Sequence, residues 1–92
     1  MTKINIVISE SAAKELVALE KKRKEFLKRL SVLNEDPFSN RSKADIKKLH
    51  GLKNPELYRL RIGDFRVVYF VEKNTVKITH ILKRGNVYDA LE

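Results

Sequence analysis

Three arginines recur at close spacing in the segment "LYRLRIGDFRVVYF". Gly63 and Asp64 form a dipeptide favoured in two-residue hairpin turns, where glycine tolerates the positive φ that the turn demands. In that register Arg61 faces Arg66, and Arg59 lies on the same side because side chains alternate along a strand. Guanidinium groups bind phosphates through bidentate contacts, so the segment favours a partner that carries phosphate.

The pairing of two arginines needs a reason, because like charges opposite each other destabilise a sheet by roughly 0.2 to 1 kcal/mol. Arginines on an exposed face are also common as solubilising residues, and that interpretation stays open. Two observations weigh against it: no acidic residue alternates with the arginines, and Leu57, Val68 and Phe70 share their face. A basic and partly apolar surface suits RNA or an amphipathic segment of a partner protein.

The other side of the hairpin is apolar and predicts the face that packs on the helices. It carries Tyr58, Leu60, Ile62, Phe65, Val67 and Tyr69. A turn at Lys73 and Asn74 would extend both faces into a third strand. Lys77, Thr79, Ile81 and Lys83 would then share the arginine side, and His80 would lie on the core side. We therefore interpret His80 as a core histidine rather than a general base.

Further cations and a phenol follow this strand or precede the hairpin. The segment "KRGNVY" contributes Lys83, Arg84 and Tyr88, and "KKLHG" contributes Lys47, Lys48 and His50. Tyr88 is as compatible with packing of the C-terminus as with a role in chemistry, and His50 is interpreted as a surface residue. The two segments are expected to extend the basic surface.

Composition limits the possible functions. The 92 residues carry a net charge of +8, which favours a polyanionic partner: nucleic acid, an anionic membrane surface or an acidic protein. The absence of cysteine excludes a disulfide framework, a thiolate nucleophile and sulfur-bound zinc. With only two histidines we expect no metal site, and the sequence predicts no cofactor. The apolar runs are too short for a membrane span, so we expect a cytoplasmic protein.

The remaining sequence predicts one α+β domain over residues 1–92. Alternating isoleucines from Ile4 to Ile8 indicate a strand, and apolar residues at helical intervals indicate helix from Ala12 to about Asn34. The polar block "EKKRKE" divides that segment into a helical hairpin, one continuous helix being the alternative. Residues 38–48 are interpreted as a polar connection. Three antiparallel strands follow: Leu57 to Ile62, Phe65 to Glu72 and Thr75 to Leu82.

The order of strand, two helices and meander, with the motifs "KLHG", "LYRLRIGDFRVVY" and "KRGNVY", resembles the RelE branch of the RelE/ParE toxin superfamily. The resemblance implies a small antiparallel sheet of an N-terminal strand and a three-stranded meander packed on helices, the RelE-like microbial RNase fold. It also implies a type II toxin that cuts messenger RNA in the ribosomal A site. A cognate RelB-like antitoxin would wrap around the toxin and neutralise it.

The resemblance assigns roles residue by residue. The reaction it implies is metal-independent attack of an RNA 2′-hydroxyl on the adjacent phosphate, which requires in-line positioning and stabilisation of developing charge. The resemblance implies catalytic roles for Arg61, Arg66, Arg84 and Tyr88. It implies RNA-binding roles for Arg59, Lys48 and Lys83.

One departure from the family concerns the proton acceptor. Arg59 and Arg61 stand where some relatives carry lysine, and arginine keeps its proton far above neutral pH, so neither serves easily as general base. Tyr88 or a group of the ribosomal RNA is the remaining acceptor. Two alternative functions stay open: a ParE-type inhibitor of DNA gyrase, although ParE-type toxins generally lack the RNase basic cluster, and a non-catalytic RNA- or protein-binding module.

Overall fold

The computed structural model describes residues 4–49 and 55–83. In these residues two α-helices pack on one face of a five-stranded sheet. The elements in chain order are β1 (Asn5–Ile8), α1 (Glu10–Ala18), α2 (Arg23–Leu30), β2 (Asp45–Lys48), β3 (Tyr58–Ile62), β4 (Phe65–Glu72) and β5 (Thr75–Lys83).

The helical segment is divided where the sequence predicts. A short 3-10 turn at Glu20–Lys22 separates α1 from α2, and Glu20 itself has a left-handed φ of 51°. The Ser9 hydroxyl caps α1 by accepting from the Ala12 amide at 3.2 Å. The interpretation as two helices is therefore confirmed, and the alternative of one continuous helix is wrong.

The sheet has the strand order β1-β5-β4-β3-β2. The predicted meander of β3, β4 and β5 is antiparallel, and its first hairpin has the predicted register, with Arg61 opposite Arg66 and Gly63 at a φ of 57°. The prediction that the sheet is antiparallel throughout is wrong, because β1 pairs with β5 in parallel. After both helices the chain enters the sheet at its opposite edge with β2, and the following strands lead back across the sheet until β5 lies beside β1.

The segment interpreted as a polar connection contains an additional strand. β2 pairs antiparallel with β3 and adds Asp45 opposite Arg61 and Lys47 opposite Arg59. Its sequence "DIKK" has a single apolar residue, Ile46, which is buried against the main core. Such a short and mostly charged strand gives almost no periodicity signal, and charged residues are typical of sheet edges.

A β-bulge in β5 reverses the predicted faces of its last residues. Val68 pairs with His80 but Tyr69 pairs with Ile78, so Thr79 is an extra residue on β5. Beyond it, Ile81 joins the main core and Lys83 pairs with Phe65, while His80 pairs with Val68. The placement of Ile81 and Lys83 on the arginine side, and of His80 on the core side, is therefore wrong.

The bulge is held by the start of α1. The Ser9 hydroxyl, which caps the helix, donates to the Thr79 carbonyl oxygen at 2.9 Å. The adjacent Ser9 amide donates to the Ile78 carbonyl oxygen at 2.9 Å. Two hydrogen bonds to neighbouring carbonyls of β5 thus fix the point at which the strand changes faces.

Candidate nucleic-acid interface

The side of the sheet turned away from the helices is called the arginine face. Its side chains lie in rows across the strands. One row reads Asp45, Arg61, Arg66 and Leu82, and the next reads Lys47, Arg59, Val68 and His80. Neighbouring strands are about 4.8 Å apart. The first row therefore brings basic side chains from two strands, and the second row from three, within reach of one nucleic-acid backbone.

The three arginines are held differently. A nitrogen of Arg59 lies 3.4 Å from a carboxylate oxygen of Asp45, and the Arg59 side chain is 15% exposed. Arg66 donates to the carbonyl oxygens of Gly63 and Phe65, each at 3.1 Å, which fixes its guanidinium beside the hairpin turn. Within the described residues Arg61 has no hydrogen bond or ion pair, and it is exposed. Arg61 thus has all its donors available to a ligand, and Arg66 keeps those that its two bonds through one nitrogen do not use.

Acidic residues do occur on this face, contrary to the inference from alternation along the hairpin. Asp45 comes from β2, which the sequence did not reveal, and Glu72 lies at the far end of β4 with its carboxylate 2.9 Å from the Lys77 ammonium. Asp45 is the cross-strand neighbour of Arg61, but its carboxylate is paired with Arg59. The like charges of Arg61 and Arg66 still face each other, and an anionic ligand would relieve their repulsion.

A small apolar cluster supports the second row of the arginine face. Val68 is completely buried there together with Leu49, and Leu57 and Leu82 pack against them. Val68 was interpreted as part of a partly apolar surface for a partner protein. It is instead covered by its own chain, so it gives no support to that docking interpretation.

A basic groove opens beside Arg61, between α2 and the sheet edge formed by β2. Its volume is about 1180 Å³, and it is also lined by Glu25 and Asp45. The cations that line it are Lys21, Lys24, Lys28, Arg29, Lys43 and Arg61. Arg61 therefore connects the arginine face with a second strongly positive surface.

Two predicted RNA-binding lysines do not share the arginine face. Lys48 pairs with Tyr58 on the helix side of β2, and its ammonium lies 2.9 Å from Glu56. That hydrogen bond raises the pKa of Lys48 above its usual value. Lys83 lines a hollow with α1 on the same side of the sheet. Lys47, next to Lys48, is the lysine that extends the arginine face.

Two further predicted residues lie outside the described part of the chain. Arg84 and Tyr88, to which the resemblance assigns catalytic roles, lie outside the described residues, and so does His50.

Within residues 4–49 and 55–83, no cluster of three His, Asp or Glu side chains could hold a metal ion. In those same ranges no helix is long and apolar enough to cross a membrane.

Comparison with known proteins identifies the family. A family model described as the ParE toxin of the type II toxin-antitoxin system parDE matches residues 6–88. The chain belongs to this toxin family. Toxin RelE3 of Methanocaldococcus jannaschii is 38% identical over 50 residues, which are 54% of this chain and 54% of that protein. The match thus spans about half the length of that curated relative.

Solved structures place this toxin-family chain in the RelE branch. A chain of the archaeal RelE-RelB complex from Pyrococcus horikoshii OT3 superposes with a TM-score of 0.75 and 33% identity, covering 92% of this chain and 99% of that one. A chain of the RelB-RelE antitoxin-toxin complex from Methanococcus jannaschii shares the fold, with a TM-score of 0.67, 24% identity and coverage of 94% and 99%. The predicted superfamily, branch and α+β fold are confirmed.

Of Asp45, Lys47 and His80 on this RelE-branch surface, sequence reasoning expected only Lys47 to extend the basic surface, and it missed the other two. Asp45 and Lys47 lie on a strand with no clear periodic signal. His80 was placed on the wrong side because a bulge adds one residue to the alternation. The sequence "TVKITHILK" offers one hint of the bulge, since Val76, Ile78 and Ile81 are its buried residues and their spacing changes from two to three.

Proposed function

We propose that residues 1–92 form one toxin domain that cleaves messenger RNA on the ribosome in the cytoplasm. The observation that carries the proposal is the Arg61–Arg66 pair, which faces like charge against like charge on an open sheet surface. A scissile phosphate between these guanidinium groups would relieve their repulsion. It would also gain most stabilisation as negative charge builds up on its oxygens during the attack of the 2′-hydroxyl.

The shape of the surface supports dependence on the ribosome. The arginine face is the open surface of a sheet with an adjoining groove, so it offers one wall and not a closed cleft. In-line attack needs the 2′-oxygen, the phosphorus and the leaving 5′-oxygen to be aligned, which contributes several kcal/mol when it is enforced. A messenger RNA already held in the ribosomal A site would supply that alignment. The cations of the groove would contact neighbouring RNA phosphates.

We further propose that a RelB-like antitoxin neutralises the protein by covering the arginine face. Support comes from two relatives whose solved structures are RelE complexes with RelB. Copurification of the product of a neighbouring gene, followed by restored translation on its addition, is the expected result. Failure of any neighbouring gene product to bind the toxin would contradict this part of the proposal.

The decisive experiment adds the purified protein to a reconstituted translation reaction and maps messenger RNA ends by primer extension. We expect cuts within codons at the A site, and we expect the double variant Arg61→Ala, Arg66→Ala to lose them, with a rate reduction of about 10³-fold or more. The matched control is Lys14→Ala, Arg23→Ala, which removes two positive charges from exposed helix positions outside the groove. The control should cleave normally.

A second function has one specific observation in its favour, the ParE description of the matching family model. A ParE-type toxin would inhibit supercoiling by DNA gyrase and leave messenger RNA intact. A gyrase assay run beside the translation reaction separates these outcomes. RNA binding that weakens steeply with salt but gives no cleavage on ribosomes would instead indicate a non-catalytic RNA-binding module.

A further inference from the structure

The proposed cleavage lacks a proton acceptor among the arginines, because guanidinium stays protonated at neutral pH. The attacking 2′-hydroxyl must nevertheless lose its proton. Imidazole is the side chain best suited to accept a proton near neutral pH. His80 is the histidine that the structure describes, and the bulge at Thr79 turns it onto the arginine face.

His80 lies close to two of the three arginines. It occupies the same row as Arg59, with Val68 between them, so their strands are about 10 Å apart. Arg66 is its diagonal neighbour on β4, at about 7 to 8 Å between backbones. Arginine side chains span most of such distances. A scissile phosphate between Arg61 and Arg66 would lie one row nearer the hairpin turn than His80, so the proposal requires the 2′-hydroxyl to extend from that phosphate toward β5. The His80 side chain is half-buried and retains access to solvent.

The hydrogen bonds around His80 are compatible with the tautomer that can act as a base. The Thr79 hydroxyl lies 3.3 Å from the Val68 carbonyl oxygen, which can only accept. The same hydroxyl lies 2.9 Å from Nδ1 of His80. With the hydroxyl proton directed to Val68, Nδ1 would donate in this second bond. Nε2 would then be unprotonated, with its lone pair available to accept a proton from a substrate.

The bulge is built into the fold and is not a local irregularity of the strand. Thr79 is the extra residue, and its carbonyl oxygen accepts from the Ser9 hydroxyl at the start of α1. Its side chain bridges β5 to β4 and to His80. One residue thus places the imidazole on the arginine face and orients it there, which is a common use of bulges next to active sites.

We propose that His80 is the general base of the cleavage reaction, an inference that rests on the proposed RNase function. Nε2 of His80 takes the proton of the 2′-hydroxyl while the 2′-oxygen forms a bond to phosphorus. The bond between phosphorus and the 5′-oxygen breaks, and the 5′-oxygen takes a proton from water. The products are a 2′,3′-cyclic phosphate and a 5′-hydroxyl, and His80 returns its proton to solvent.

Other charged groups on this face must be considered in any test by pH. Arg66 and Glu72 come from β4, Arg59 from β3, Lys77 from β5, and Asp45 and Lys47 from β2. In model peptides carboxyl, ammonium and guanidinium groups change charge outside the range from pH 5.5 to 8.5, whereas imidazole changes charge within it. A rate that rises with pH through this range and then levels off therefore reports a histidine.

The test measures single-turnover cleavage of messenger RNA on programmed ribosomes between pH 5.5 and 8.5, with the full chain. We expect His80→Ala to reduce the rate by about 10² to 10⁴-fold and to remove the rise with pH, with ribosome binding unchanged. Added imidazole should restore part of the rate. Thr79→Val, which keeps the side-chain shape but removes the acceptor for Nδ1, should reduce the rate by about tenfold and keep the pH dependence.

The variants also separate the possible failures. His80→Gln replaces the ring with a polar side chain that cannot act as a base, so it covers the case in which His80→Ala does not fold, and circular dichroism checks the fold of each variant. Cleavage by His80→Ala at the normal rate with the normal pH profile would overturn the proposal and leave the proposed function intact. If the unaltered protein does not cut messenger RNA on ribosomes, the proposed function and the proposed role of His80 are both wrong.

Discussion

The two faces of the sheet consist of alternate residues of the same strands, and they differ in role: one forms the core and the other carries the arginines. The centre of the helix-side face is apolar: Leu60, Ile62, Val67 and Tyr69 are each at most 5% exposed, and within the described residues the core contains no buried charge. On the arginine face, the intervening residues of β3 and β4 place like charges opposite each other. Folding free energy comes mainly from the first face, which allows the second to keep an arrangement that is unfavourable without a ligand.

The bulge at Thr79 is the point where both faces depend on one residue. Before it, Val76 and Ile78 face the helices, and after it Ile81 does. Without the bulge, strict alternation would send Ile81 to the arginine face. The comparison of the two faces can therefore be tested by removing the bulge, by truncating one face at a time, or by relieving the charge repulsion.

Deletion of Thr79 tests the residue on which both faces depend. The deletion restores strict alternation with His80 still on the arginine face and Ile81 still in the core, but it removes the residue that bonds to Ser9, Val68 and His80. We expect a loss of about 3 kcal/mol of unfolding free energy, roughly 1 kcal/mol for each hydrogen bond removed. Urea unfolding followed by circular dichroism measures this loss. An unchanged free energy of unfolding would show that the bulge is dispensable for stability.

Adjacent truncations should distinguish the faces directly. Leu60→Ala removes a side chain that is 1% exposed from the main core, and we expect it to cost about 2 to 5 kcal/mol of unfolding free energy. Arg61→Ala, at the next position of the strand, should not measurably lower the free energy of unfolding. Conversely, only Arg61→Ala should abolish cleavage without unfolding the protein. Equal stability losses from both variants would mean that Arg61 also supports the fold.

A smaller effect is expected at the buried phenol of Tyr69. Its hydroxyl donates to the Pro37 carbonyl oxygen, and burial raises its pKa above the usual value near 10. Tyr69→Phe leaves that carbonyl without its donor and should cost about 1 to 2 kcal/mol at neutral pH. Because the pKa is raised in the folded state, this stabilisation is complete below pH 10 and is lost above it. Alkaline titration should destabilise the unaltered protein more than Tyr69→Phe.

The smallest effect is a gain in stability. Arg61→Thr removes one charge of the Arg61–Arg66 pair and introduces a residue with a high strand propensity. We expect a gain of about 0.2 to 1 kcal/mol in thermal unfolding at low salt, and a smaller gain at high salt because screening already weakens the repulsion. A loss of stability would show that Asp45 and its neighbours already compensate the pair.

The hairpin shows how much the sequence alone determines. The glycine at the turn, the alternation of apolar and basic residues and the absence of an insertion fix the register of β3 and β4, and with it the position of Arg59, Arg61 and Arg66. Each of these signals is local, since it depends on residues a few positions apart. The division of the helical segment and the α+β class follow from similar local patterns.

The tertiary structure decided what no local pattern contains. β2 is a strand because β3 offers it an unpaired edge and a place to bury Ile46, although "DIKK" itself has little strand preference. His80 lies on the arginine face because Ser9, some 70 positions earlier in the chain, holds the extra residue Thr79 by its carbonyl. Pairing partners and bulges are chosen by the packing of distant segments, so they became visible only once the chain was folded.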